Sequence, residues 1–162
     1  MAARQRKPNK KKSPSGGKGR GGQANRLNQP AQQPATAAKR DSLGFIEPQS
    51  FWKRWADLGL SVDTDLIALQ DMLIENPLQG KLVKGTRGLR KMRFAPPSWN
   101  VGKRGATRVL YVYFQVFEVV VLLMIYSKSV QSDISSAAKK ILNQEIRLTE
   151  ADLKRQCPEG EG

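Results

Sequence analysis

Val109 to Tyr126 reads VLYVYFQVFEVVVLLMIY. Eighteen residues approach the length of a membrane span, yet Gln115 and Glu118 stand in the middle, and a carboxylate at bilayer depth costs roughly 2.5 to 3.5 kcal/mol even on insertion scales. The apolar halves on either side are rich in β-branched and aromatic side chains, which suit buried strands better than a lipid-facing helix. The stretch therefore reads as a hairpin. Thr107 to Phe114 is one strand, Gln115 to Glu118 the connection, and Val119 to Tyr126 a nearly all-apolar central strand.

Toward the N-terminus the loop from Pro96 to Gly105 leads back to Leu89-Arg-Lys-Met-Arg-Phe94. Alternation puts Leu89, Lys91 and Arg93 on one face and Arg90, Met92 and Phe94 on the other. Three successive strands joined by short connections predict an antiparallel sheet. Before them, Phe51, Trp52, Trp55, Leu58 and Leu60 have the spacing of a short amphipathic helix. Leu66, Leu69 and Leu73, joined by Ile67 and Ile74, form the stripe of a second, capped by Ser61 or Asp63 and ended by Asn76-Pro77 and Gly80. Leu43 to Ile46 is a short strand able to pair at the sheet's edge. Toward the C-terminus, Ser132 or Asp133 caps a helix carrying Ile134, Ala138, Ile141, Leu142 and Ile146, and Thr149 with Asp152 opens a short final helix around Leu153. The fold class is α+β, a small antiparallel sheet packed against helices. Residues 1–44 are expected to be a disordered basic arm, 45–156 the folded domain and 157–162 a flexible tail.

Charge is unevenly spread. The chain carries 28 Lys plus Arg against 14 Asp plus Glu, a net +14. Residues 1 to 40 hold eleven cations and no carboxylate, and residues 81 to 108 hold nine more, again with none. Such tracts repel themselves unless a polyanion neutralises them, which points to nucleic acid. Cys157 is the sole cysteine and histidine is absent. Internal disulfides, multi-cysteine metal clusters, the usual zinc sites and imidazole-based acid–base or nucleophile systems are thereby excluded, and no cofactor or metal is expected. The basic start leads into Gly, Ser, Gln and Pro instead of an apolar run, so neither a signal peptide nor membrane attachment is expected and a cytoplasmic location is.

The segments ENPLQGKLVKGTRGLRKMRFA, GKRGATRVLYVYF and LLMIYSKSVQSDIS together resemble the RelE/HigB-like toxins of bacterial type II toxin–antitoxin systems. The resemblance runs over about residues 45 to 146 and rests on Leu69-Gln70, Asn76-Pro77, Gly80, Gly85-Thr86, Gly88-Leu89-Arg90-Lys91, Arg108-Val109, Tyr126-Ser127-Lys128 and Asp133. It implies a RelE-like fold and an endoribonuclease that cleaves messenger RNA, commonly on the ribosome. It also implies silencing by an antitoxin from the same operon, of helix-turn-helix type in the HigB-like branch. ParE-like relatives use the same scaffold against DNA gyrase, and a noncatalytic nucleic-acid-binding module is a further alternative. Three features depart from the family pattern: Arg87 stands where glycine is usual, the loop PPSWNVGKRGA replaces a shorter linker, and Ser129 takes the approximate place of an arginine.

Without imidazole, RNA cleavage needs cations around the reacting phosphate and a lysine or tyrosine for proton transfer. The resemblance puts that surface on the sheet and at the end of its central strand. Arg93 and Arg108 are assigned to phosphate orientation and charge stabilisation, and Lys91 and Lys128 to proton transfer or the same electrostatic work. Tyr126 stacks on a base or orients a reacting group, or else packs in the core. Arg87, Arg90, Lys103 and Arg104 are assigned to nucleic-acid contact, with a solvated edge strand the simpler account of Arg90 and Lys91. Asp133 reads as a helix cap, and Trp52, Trp55 and Trp99 as core or loop aromatics.

Overall fold

The computed structural model describes residues 42–100 and 105–157; the expected basic arm, apart from its last three residues, and most of the C-terminal tail lie outside them. Five strands form one sheet: β1 (Gly44–Ile46), β2 (Lys81–Leu82), β3 (Leu89–Phe94), β4 (Thr107–Phe114) and β5 (Val119–Ser127), in the order β1-β5-β4-β3-β2. The hairpin at the heart of the sequence is present, closed by a tight turn at Gln115–Phe117 with Glu118 in a left-handed conformation. No helix among the described residues is long and apolar enough to cross a membrane.

The sheet differs from expectation at its edges. β1 pairs with β5 in parallel, Gly44 opposite Val119, so the sheet is mixed instead of wholly antiparallel. β1 comes before the helices in the chain and is three residues long, too short for its sequence to reveal the direction in which it pairs. β2 is a two-residue antiparallel edge beside β3, too short for alternation to announce.

Helix α1 (Gln49–Asp57) and helix α2 (Ile67–Glu75) cover one face. A single π-helical turn, Val62–Leu66, precedes α2 and is capped by Ser61, whose hydroxyl accepts the Thr64 N–H. Phe51, Trp55, Leu66, Leu69 and Leu73 bury against Met92, Phe94, Val109, Tyr111, Leu122 and Ile125. Ile67 does not join them; it is exposed, because two residues before Leu69 and six before Leu73 it falls on the far side of a regular helix. Trp52 and Trp99 pack half-buried against the same core. Helix α3 (Ser136–Gln156) lies on the other face, setting Leu142 and Ile146 against Leu89, Leu110, Val112 and Val121. It is one helix of 21 residues instead of two. The Thr149 hydroxyl bonds back to the Glu145 carbonyl inside the helix, and no breaker separates the two halves. Its N-cap is Ser135, accepting the Ala138 N–H, and not Ser132 or Asp133.

Two buried polar contacts fix the connections. Tyr111 donates its hydroxyl hydrogen to the Pro77 carbonyl and accepts the Gly80 N–H, both at 2.9 Å. A Cβ on Gly80 would meet that phenol ring at 2.8 Å, so only glycine lets the chain pass there. Asp65, wholly buried in the π turn, accepts the Ser61 N–H (2.8 Å), the Ser98 N–H (2.9 Å) and the Ser98 hydroxyl (2.6 Å). Burial alone pushes its carboxyl up, but the Ser98 hydroxyl, the Ser98 N–H and the Ser61 N–H together hold it below its ordinary value of 3.8. A depressed folded pKa stabilises the fold fully above the unfolded value and ceases to do so as pH falls through the folded one. Asp65→Ala is expected to lose about 3 kcal/mol in urea denaturation at neutral pH, and the stability gap between wild type and variant narrows below pH 3.8.

Candidate functional site

The register of β3, β4 and β5 decides which side chains meet. β3 and β4 pair so that Arg93 stands directly opposite Arg108, and β4 and β5 so that Arg108 stands opposite Tyr126. One irregularity intervenes: Leu110 pairs with Met124 but Tyr111 with Leu122, leaving Leu123 as an extra residue on β5. This is a β-bulge, and it reverses the face on which every later β5 residue points. Leu122 belongs to the core beneath α1 and α2, whereas Met124 and Tyr126 belong to the side covered by α3.

On that second face α3 covers only the apolar half of the sheet. The other half is open and forms a concavity of about 710 Å³ bordered by Lys81, Lys91, Arg93, Arg108, Lys128 and Gln79. The four cations assigned to phosphate chemistry from the sequence thus converge on one surface. Lys81, counted only as part of a basic tract, joins them as the register partner of Lys91. Cross-strand partners have Cβ atoms about 5 Å apart, and like charges so placed oppose folding. The sheet carries two such pairs here, Lys81 with Lys91 and Arg93 with Arg108. The Arg108 guanidinium is steadied by the Ala106 and Thr107 carbonyls, each at 3.3 Å, while Arg93 reaches into solvent.

Among the described residues one carboxylate is paired with this charge. Asp133 accepts a hydrogen bond from Lys91 Nζ at 3.2 Å while accepting the Ile134 N–H at 2.8 Å. The Ile134 N–H first, and then Lys91, hold its carboxyl below the usual range. Asp133 is therefore a partner of Lys91 and not the helix cap the sequence suggested. No sequence spacing links residues 91 and 133; only the fold brings them together.

The other assigned residues separate. Tyr126 is buried among Met124, Ile134 and Ile146, so its ring cannot stack on a base, which corrects that reading. Its hydroxyl meets no partner among the described residues. Burial pushes the phenol's pKa up, Asp133 adds to the rise and Arg108 draws it back. Arg90 points to the opposite face of β3, where Nη1 donates to the Gly80 (2.7 Å) and Leu78 (3.1 Å) carbonyls; it braces the loop into β2. Arg87 lies against α3, its N–H on Asn143 Oδ1 at 2.9 Å and its guanidinium 3.7 Å from Glu150. Neither arginine borders the concavity. Lys103 and Arg104 lie outside the described residues. Ser129 shares a hydrogen bond with the Ser127 hydroxyl.

No family model matches the chain. Among solved structures it is similar to a mutant of E. coli toxin RelE in the free state, with a TM-score of 0.40 and 13% identity over 56% of this chain and 88% of that one. It is also similar to the intact E. coli RelBE toxin–antitoxin complex, with a TM-score of 0.39 and 19% identity over 51% of this chain and 93% of that one.

Because Asp133 pairs with Lys91 of this cluster, removing its charge frees Lys91 for an anion. Asp133→Asn is expected to tighten binding of labelled polyphosphate roughly threefold at low ionic strength, with the gain fading near 1 M salt, where screening acts over about 3 Å. Fluorescence anisotropy across a salt series measures it.

Proposed function

We propose that the protein is a toxin-type endoribonuclease that cleaves messenger RNA engaged on the ribosome in the cytoplasm, halts translation, and is silenced by a helix-turn-helix antitoxin encoded nearby. The observation that carries the reading is the like-charge row Arg93–Arg108 on an open sheet face, flanked by Lys91 and Lys128. A fold that sets two arginines directly opposite one another gives up stability, and an oxyanion bound between them restores it. The motif resemblance around Gly88 to Lys91 and Tyr126 to Lys128 directs that anion to be a phosphodiester of RNA.

In this mechanism Arg93 and Arg108 grip the non-bridging oxygens of the scissile phosphate, each guanidinium presenting a planar fork of donors. The ribose 2′-hydroxyl gives up its proton to solvent and attacks the phosphorus in line, the bond from phosphorus to the 5′-oxygen breaks to leave a 2′,3′-cyclic phosphate, and the charge that develops on the phosphorane falls between the two arginines. Lys91, ion-paired to Asp133, supplies further positive charge. Lys128, immediately after β5, gives the departing 5′-oxygen its proton. Tyr126, the buried cross-strand partner of Arg108, supports the floor of the site and does not touch substrate.

Arg93→Ala and Arg108→Ala are expected to remain folded, since neither side chain belongs to the core, and to lower the cleavage rate by roughly 10² to 10³. The assay maps transcript ends in a translation extract and after brief induction in cells. Wild-type cleavage by both variants contradicts the site. Salt-sensitive RNA binding by the wild type with transcripts left intact favours a noncatalytic binding module, and DNA damage without transcript cutting favours a gyrase-directed toxin.

A further inference from the structure

We infer that the concavity holds two successive phosphates of one single strand, the second clamped between Lys81 and Lys91. The inference rests on the nucleic-acid reading of this site but not on cleavage.

The site contains two cationic pairs, not one. Lys81 opposes Lys91 across β2 and β3, and Arg93 opposes Arg108 across β3 and β4. All four border the same concavity. Lys91 and Arg93 are two residues apart on one strand, so the two rows are separated by roughly 7 Å at the strand's rise per residue. That exceeds the span of a single phosphate's oxygens and suits consecutive phosphates of an extended backbone, which a positive groove tracks without regard to base. Each pair costs stability when empty. The Arg93–Arg108 pair, with Lys91 beside it, answers the needs of a scissile phosphate; Lys81 is unexplained by it.

A second observation points to an oxyanion at the outer pair. The Asp133 carboxylate already sits on Lys91 Nζ at 3.2 Å. It is an exposed side chain, 68% accessible, on the segment between β5 and α3, and free to yield to an incoming phosphate. Lys81 lies on an exposed two-residue edge strand, with its side chain turned to the concavity and nothing of the core depending on it. Its role is to bind the phosphate next to the reacting one and thereby to set where along the strand the Arg93–Arg108 pair engages.

The test uses the full chain and 2′-O-methyl trinucleotides, which lack the attacking hydroxyl. One probe carries both charged linkages, and two others have one linkage or the other replaced by a neutral methylphosphonate. Wild type is expected to bind the doubly charged probe roughly fivefold or more tighter than either singly charged one at 50 mM salt. Lys81→Ala removes that preference and lowers the salt slope on the doubly charged probe by about 0.7; Lys81→Arg retains both. The inference is overturned if wild type shows no preference, or if Lys81→Ala weakens all three probes equally or keeps the preference. Cleavage is scored separately on unmodified RNA: its absence in wild type removes the endoribonuclease reading and leaves the two-phosphate result standing.

Discussion

β5 carries one more residue than the stretch of β4 that it pairs with, and that residue, Leu123, governs what the sheet can do. A strand's side chains alternate strictly, so a single insertion moves everything beyond it to the opposite face. Before the bulge β5 alternates in one phase between the two cores; after it, Ile125 turns to the α1–α2 side and Tyr126 to the α3 side. Lys128 follows in the same phase and reaches the concavity beside Arg108. With unbroken alternation it would have left on the face already filled by Phe51, Trp55 and Leu73.

The second constraint is how far α3 extends over its face. Its apolar side meets Leu89, Leu110, Val112 and Val121, and the sheet beyond is left to cations. Continuing the helix over that half would bury arginines and lysines with too few partners, a cost of several kcal/mol per ion. Leaving it open keeps the charges hydrated and makes a groove. The same sheet is thus held together by the apolar ends of its strands and opened for an anion at the charged ends, and the two tasks compete only at the like-charge pairs.

Much of this was legible in the sequence. The hairpin at 109–126 follows from Gln115 and Glu118 interrupting an apolar run, and the face shared by Lys91 and Arg93 follows from alternation. Four of the five cations that border the concavity, Lys91, Arg93, Arg108 and Lys128, follow from residues and motifs. What stayed hidden has physical causes. A bulge leaves no mark in a stretch that is apolar on both faces, so Tyr126 could not be told from a substrate-facing tyrosine. A parallel edge such as β1 and a two-residue strand such as β2 depend on tertiary pairing, which is why Lys81 was missed. Arg90 and Lys91 are neighbours in sequence with equal charge, and only the carbonyls of Leu78 and Gly80 on one side and Asp133 on the other distinguish a brace from a site residue. Thr149 and Asp152 imitate a cap because a threonine bonding back within a helix has the same sequence appearance as one starting it.

The central claim is that Arg93 and Arg108 form a ready-made seat for one phosphodiester. A crystal structure of the full chain with a short 2′-O-methyl RNA, uncleavable at the reacting linkage, tests it directly. The account predicts a phosphate bridging the two guanidinium groups within hydrogen-bonding distance of both. An oligonucleotide ordered elsewhere on the molecule, with the space between those arginines empty, would contradict it.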